Sequence, residues 1–351
     1  MDLEWNMGGI NLVVLNCYGK IDKICISTKL GLYLSNLPDS PENNWKEQLE
    51  KELKLSYDAD RIYQEYLGTN HTCGINKLYH NVFPQKRIPD DFSSEQFSDL
   101  ASKMVCLSLD YSYEDMPLGG WEQNCFDGRL CEDDYTEKII NFWNYLSNSL
   151  YNKESFPGPV PQWIYSSNHD EIDHYRLFWG GEGVDIYIRA LKEWGELLDK
   201  FLENRENYLL FDYLVNSLYE DNKYNEYHFM KDYSLCQLFL EDRHEKELDK
   251  KLQHFLPEYL SVPDKEQCAK LLRQLRNKIA HGDFLAFETK IEEFAVQFMD
   301  GKFGFDYSEY SRKNWAISHI CCLMDDVLRR IIYMLFYDNE TLNKIKKDYT
   351  V

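Results

Sequence analysis

At 351 residues, 44% hydrophobic and with 26 tyrosines, the chain can bury a sizeable core and is long enough for two domains. Its 60 acidic residues outnumber 39 basic ones for a formal net charge of −21, which excludes a broad, non-specific DNA or RNA coat. Ten cysteines occur without any Cys-x-x-Cys spacing, and no signal-peptide pattern is seen. No apolar run approaches the ~20 residues needed to cross a bilayer. A cytoplasmic protein with reduced thiols and no membrane partner is therefore expected.

In chain order, Ile10–Leu15 and Ile24–Ser27 are short β-rich runs around a turn at Gly19-Lys20, which predicts a hairpin or small sheet. Helical spacing runs from Asn43 to about Leu67 through Trp45, Leu49, Leu53 and Leu55. Ser93 or Ser94 can cap a second helix toward Val105. Met116–Gly120 breaks the chain, and Thr136–Tyr151 carries Ile139, Ile140, Trp143 and Leu146 at helical intervals. Pro157-Gly158-Pro159-Val160-Pro161 excludes helix and most sheet. We therefore expect an N-terminal α+β region over 1–156, an irregular linker over 157–184, and a helical domain over 185–351.

Within that last segment the pattern predicts helices over Asp185–Asn204, Tyr208–Tyr219, Tyr224–Phe255, Asp264–His281, Phe284–Met299 and Tyr310–Tyr337. Successive helices with short connections argue a bundle, so the fold class is mainly α with an N-terminal α+β region.

The most informative stretch is Leu271–Gly282. Leu271, Leu272, Leu275 and Ile279 form one apolar stripe, and Gly282 is suited to close the helix. Off the stripe lie Arg276, a planar cation suited to gripping phosphate, and His281, a residue type whose proton comes and goes near neutral pH. Lys265, Lys270, Arg273, Arg276 and Lys278 make this segment locally basic, with only Glu266 against them.

Arg276-Asn277-Lys278-Ile279-Ala280-His281 resembles the Arg-(four to six residues)-His signature of the HEPN superfamily. Asn277 matches that family's polar residue after the arginine. The resemblance covers the C-terminal third to two-fifths of the chain. It implies a helical domain that forms a homodimer, with two arginine–histidine pairs facing one cleft, and metal-independent cleavage of RNA without a cofactor. Many members act as toxins, in phage defence or in stress responses, some restrained by an antitoxin or another regulatory partner. Others are non-catalytic scaffolds that hold a partner protein or nucleotide, which is the alternative reading here. On this basis Arg276, His281 and Asn277 are the expected catalytic residues, and Arg273, Lys278 and Lys270 the expected RNA contacts.

Other constellations weigh less. Arg312 and His319 satisfy the looser spacing, but Lys313 follows the arginine where the family has Asn, Asp or His. His169-Asp170-Glu171-Ile172-Asp173-His174 holds metal-ligand residue types, yet its histidines do not share a helix face, and a solvated acidic loop is expected. Gly180–Gly183 lacks the Lys-Ser or Lys-Thr of a phosphate loop and reads as a turn. Cys321-Cys322, among apolar residues, reads as buried thiols. No Gly-x-Ser-x-Gly or His-Glu-x-x-His occurs. No metal site is expected.

Overall fold

The computed structural model describes residues 10–36, 93–110, 162–165, 172–176, 184–218, 224–241, 248–299 and 309–347, with 46, 47, 50, 51, 54, 57, 58, 138, 139, 142, 143, 145 and 146. The breaks expected at Met116–Gly120, Pro157–Pro161 and Gly180–Gly183 lie outside these residues. The protein is mostly helical, with an α+β N-terminal part. It divides into two compact units, 1–148 with 154–219, and 149–153 with 220–351.

The first unit contains six described strands: β1 (Ile10–Tyr18), β2 (Ile24–Ser27), β3 (Leu32–Asn36), β4 (Met104–Asp110), β5 (Gln162–Tyr165) and β6 (Ile172–Arg176). They form one sheet in the order β2-β3-β4-β1-β5-β6, every neighbouring pair antiparallel. The two N-terminal runs read from the sequence are strands of this sheet but not a hairpin. β2 pairs with β3, whereas β1 pairs with β4 and β5. Part of the stretch expected to be irregular, 157–184, supplies β5 and β6. Asp173 and His174 consequently belong to a strand rather than to a solvated loop, while His169 lies outside the described residues.

Helix α1 (Ser94–Lys103) is capped by Ser93, one of the two serines expected to do so, in a reciprocal capping box with Gln96, and gives way to β4 at Met104 rather than running on toward Val105. Described residues at 46–58 and 138–146 are helical, within the two helices expected there. Helices α2 (Val184–Phe201) and α3 (Arg205–Ser217) belong to this unit, not to the helical domain expected to start at 185. The cause is the packing of α2 on β2. A Cβ on Gly195 would lie 1.6 Å from the Ile26 carbonyl oxygen, so only glycine allows the approach. One turn further, the Asp199 carboxylate gathers the β2–β3 turn. It accepts from Ser27 Oγ at 2.5 Å, Thr28 N at 2.9 Å and Lys29 N at 3.1 Å.

The described elements of the second unit are all helices: α4 (Glu226–Leu240), α5 (Leu248–Leu252), α6 (Val262–Ala280), α7 (Phe284–Met299), α8 (Glu309–Tyr337) and α9 (Asn339–Lys347). Its core is the seam between α4 and α8, where Phe229, Tyr233 and Cys236 are buried with Ile320, Met324, Val327, Leu328 and Ile331. The single helix expected over Tyr224–Phe255 ends instead at Glu241, whose backbone is extended. Lys251 explains how the chain tolerates that end. Its fully buried ammonium donates to the Leu240 carbonyl at 2.9 Å and the Lys346 carbonyl at 2.6 Å, near the C-termini of α4 and α9. A cation placed there meets the negative ends of two helices.

Candidate functional site

Helix α6 presents the Arg–His stretch. Ser261 caps its start, with Pro263 in the first turn, and Cys268, Ala269, Leu271, Leu272 and Leu275 bury one face. Its end is a Schellman motif. Gly282 has φ +68°, its N–H donates to the Ile279 carbonyl at 3.0 Å, and the Asp283 N–H donates to the Lys278 carbonyl at 2.9 Å. His281 is the capping residue, with its backbone N–H bonded to the Asn277 carbonyl at 3.1 Å. The imidazole is exposed and makes no hydrogen bond or ion pair among the described residues.

Arg276 is half-buried. Its Nη1 donates to Asn277 Oδ1 at 3.2 Å and its Nη2 to Gln237 Oε1 on α4 at 3.3 Å. Its Nε is buried and has no acceptor among the described residues. Both bonds run to neutral amide oxygens, although the chain has 60 carboxylate side chains. The neighbouring cations differ. Arg273 Nε pairs with Asp249 at 2.7 Å and Lys278 Nζ with Asp283 at 2.8 Å. Lys270 is exposed. The structure thus joins Arg276 to Asn277, engages Arg273 and Lys278 in salt bridges, and forms no hydrogen bond between Arg276 and His281. Phe284 and Leu285, just beyond the helix end, are 63% and 82% exposed.

Of the rival pair, His319 lies on α8 with its ring 6.4 Å from that of Phe294, and the Arg312 side chain is outside the described residues. Cys321 is buried and Cys322 half-buried, near the expectation for that pair.

A second polar group, missed in the sequence, lies inside the α4–α8 seam. His228 and Asp232 are one turn apart on α4, and Asp325 faces them from α8. The His228 Nε2 is 3.0 Å from Asp325 Oδ1 and 3.2 Å from Asp232 Oδ2. Asp325 is also 3.9 Å from Arg329, which bonds Asp326 at 3.1 Å. All five side chains are buried. Neither Asp232 oxygen meets hydrogen-bond geometry with a partner among the described residues, although Oδ2 forms an ion pair with His228 at 3.2 Å. Burial acts to lower the His228 pKa, but the two carboxylates together push it up to about 9. Burial drives Asp232 up to about 7, whereas His228 and Arg329 overcome burial and hold Asp325 below the usual carboxylate range. The available signal was the His-x-x-x-Asp spacing on α4, which puts both groups on one helix face. Its third member is 97 residues away. No family model, no curated protein and no solved structure matches the chain.

Proposed function

We propose that the helical second unit is a HEPN-type, metal-independent endoribonuclease that acts as a homodimer, in a toxin, phage-defence or stress role. The observation that carries this reading is Arg276, a half-buried guanidinium in an acidic chain that, among the described residues, bonds to neutral amide oxygens and leaves its buried Nε without an acceptor. A buried donor without an acceptor costs about 1–3 kcal/mol. An RNA phosphate that draws the side chain outward would give the planar donor fork an anionic acceptor.

The exposed His281 then supplies proton transfer. In each cleavage the RNA 2′-oxygen bonds to phosphorus while the bond from phosphorus to the 5′-oxygen breaks. One imidazole takes the 2′-hydroxyl proton, and the second, from the other copy, protonates the departing 5′-oxygen. Arg276 offsets charge on the phosphorane oxygens, Asn277 steadies the guanidinium, and Lys270 meets an adjacent phosphate. Arg273 and Lys278 would join only by exchanging their carboxylate partners for phosphate. Exposed Phe284 and Leu285 beside His281 support a two-fold contact that places the two helix ends together.

The test is cleavage of labelled RNA by the purified full chain, with EDTA added immediately before the substrate. Wild type is expected to cut, and Arg276→Ala and His281→Ala each to lose roughly 100-fold or more in rate with unchanged circular dichroism. If all three proteins bind RNA or a nucleotide alike and none cuts, the non-catalytic binding role replaces this one.

A further inference from the structure

We infer that His228, Asp232 and Asp325 form a buried site for one divalent transition-metal ion of the zinc type, joining α4 to α8. This site is separate from the end of α6 and does not depend on the nuclease reading.

Geometry is the first argument. The three donor atoms all lie within 4.8 Å of one another, two of the spacings being 3.0 and 3.2 Å. Four ligands placed tetrahedrally at the ~2.0–2.1 Å typical of zinc bonds are about 3.3 Å apart. The donors therefore already sit close to the edges of such a coordination shell, and small side-chain adjustments admit the ion.

Hydrogen bonding is the second argument, and it is independent of the first. A single imidazole nitrogen faces two carboxylates, and one N–H cannot serve both well. Asp232 is the group left over: it is fully buried, neither oxygen meets hydrogen-bond geometry among the described residues, and its ion-pair contact is the His228 ring at 3.2 Å, which Asp325 also engages. An anion in that state is strongly disfavoured unless a cation reaches it. A metal ion at the convergence of the three donors reaches Asp232, His228 and Asp325 together.

Charge is the third. Three carboxyl side chains, Asp232, Asp325 and Asp326, share the seam with one guanidinium, Arg329, so the site holds an excess of acidic groups for a dication to balance. The imidazole ligand and the closed, buried setting select against magnesium, which prefers oxygen ligands and keeps several waters. With ligands on two helices, the ion acts as a staple across the core of the second unit.

The experiment uses the full chain, stripped with chelator, desalted and titrated with zinc chloride, with manganese and magnesium chlorides in parallel. Bound metal after gel filtration and the thermal midpoint are measured. We expect about one zinc retained per chain, a higher midpoint with zinc, and no such effect from magnesium at the same concentration. Asp232→Asn and Asp325→Asn should each weaken zinc retention by roughly 10-fold or more. Cobalt chloride should give the visible absorption of a four-coordinate ion in the wild type and lose it in either variant. Should a variant fail to fold, the wild-type stoichiometry and cobalt spectrum still decide. The inference is overturned if the wild type retains no zinc or manganese. It is equally overturned if zinc retention is unchanged in Asp232→Asn, or if that variant raises the midpoint of a protein that zinc leaves unaffected.

Discussion

The His228 ring reaches Asp325 across the α4–α8 seam, Nε2 to Oδ1 at 3.0 Å, between residues 97 positions apart in the chain. Asp232 on the same helix and the Tyr224 ring, 5.4 Å away and edge-on, complete its surroundings, with Arg329 and Asp326 behind Asp325.

In protein stripped of divalent cations, that arrangement sets a pH dependence with a definite sign. His228 is raised from 6.5 to about 9, so the folded state holds a proton that the unfolded state releases. Its stabilising contribution is full below about 6.5 and is lost as pH rises through about 9. Asp232, raised to about 7, adds a loss in the same direction at lower pH. Denaturant unfolding of the stripped protein should show stability falling between pH 6.5 and 9, and His228→Gln should flatten that slope. A slope unchanged in the variant would contradict the assignment.

Leu285 gives a test of assembly. At 82% exposure its side chain contributes little to the fold, so Leu285→Asp should leave the thermal midpoint within a few degrees of wild type. If it lies in the two-fold contact, the variant should run as a monomer by light scattering and lose RNA cleavage with it.

Gly282 holds the helix end that carries His281. At φ +68° a side chain is strained, although a Cβ there would meet nothing within 4 Å. Gly282→Ala should therefore cost about 1–2 kcal/mol, and Gly282→Asn less, because asparagine tolerates the left-handed region better. Cleavage should decline in the same order. Equal stability of the two variants in urea would be inconsistent with the motif.

In the first unit, Gly195→Ala forces a methyl group 1.6 Å from the Ile26 carbonyl oxygen. Overpacking of this kind costs about 3 kcal/mol or more when backbone must move. Differential scanning calorimetry should show destabilisation of the first unit; a wild-type trace would mean that α2 does not pack on β2 in this way.

Legibility from sequence followed the range of the interactions. Helix ends marked by local chemistry were readable, as at Ser93, one of two candidate caps, and at Ala280-His281-Gly282. The β5 and β6 strands were not, because four or five residues give too little periodicity and a proline cluster precedes them. The stop at Glu241 carries no glycine or proline, and the compensating Lys251 is eleven residues from the carbonyl it serves. The placement of α2 with the sheet depended on Gly195 meeting Ile26, a contact no helical pattern encodes. Arg276 and His281 could be singled out because both sit on one short segment; the His228 cluster could not, since Asp325 comes from another helix 97 positions away.

In the proposed reaction Arg276 and His281 cut RNA through its 2′-hydroxyl. The direct measurement compares a labelled RNA with the same oligonucleotide carrying a 2′-deoxy sugar at the cleaved position, both incubated with the full chain and the product ends identified. That reaction gives cleavage of the RNA to a 2′,3′-cyclic phosphate and a free 5′-hydroxyl, an intact deoxy-substituted strand, and no products with His281→Ala. Cleavage of both strands alike, or undiminished cleavage by His281→Ala, would contradict it.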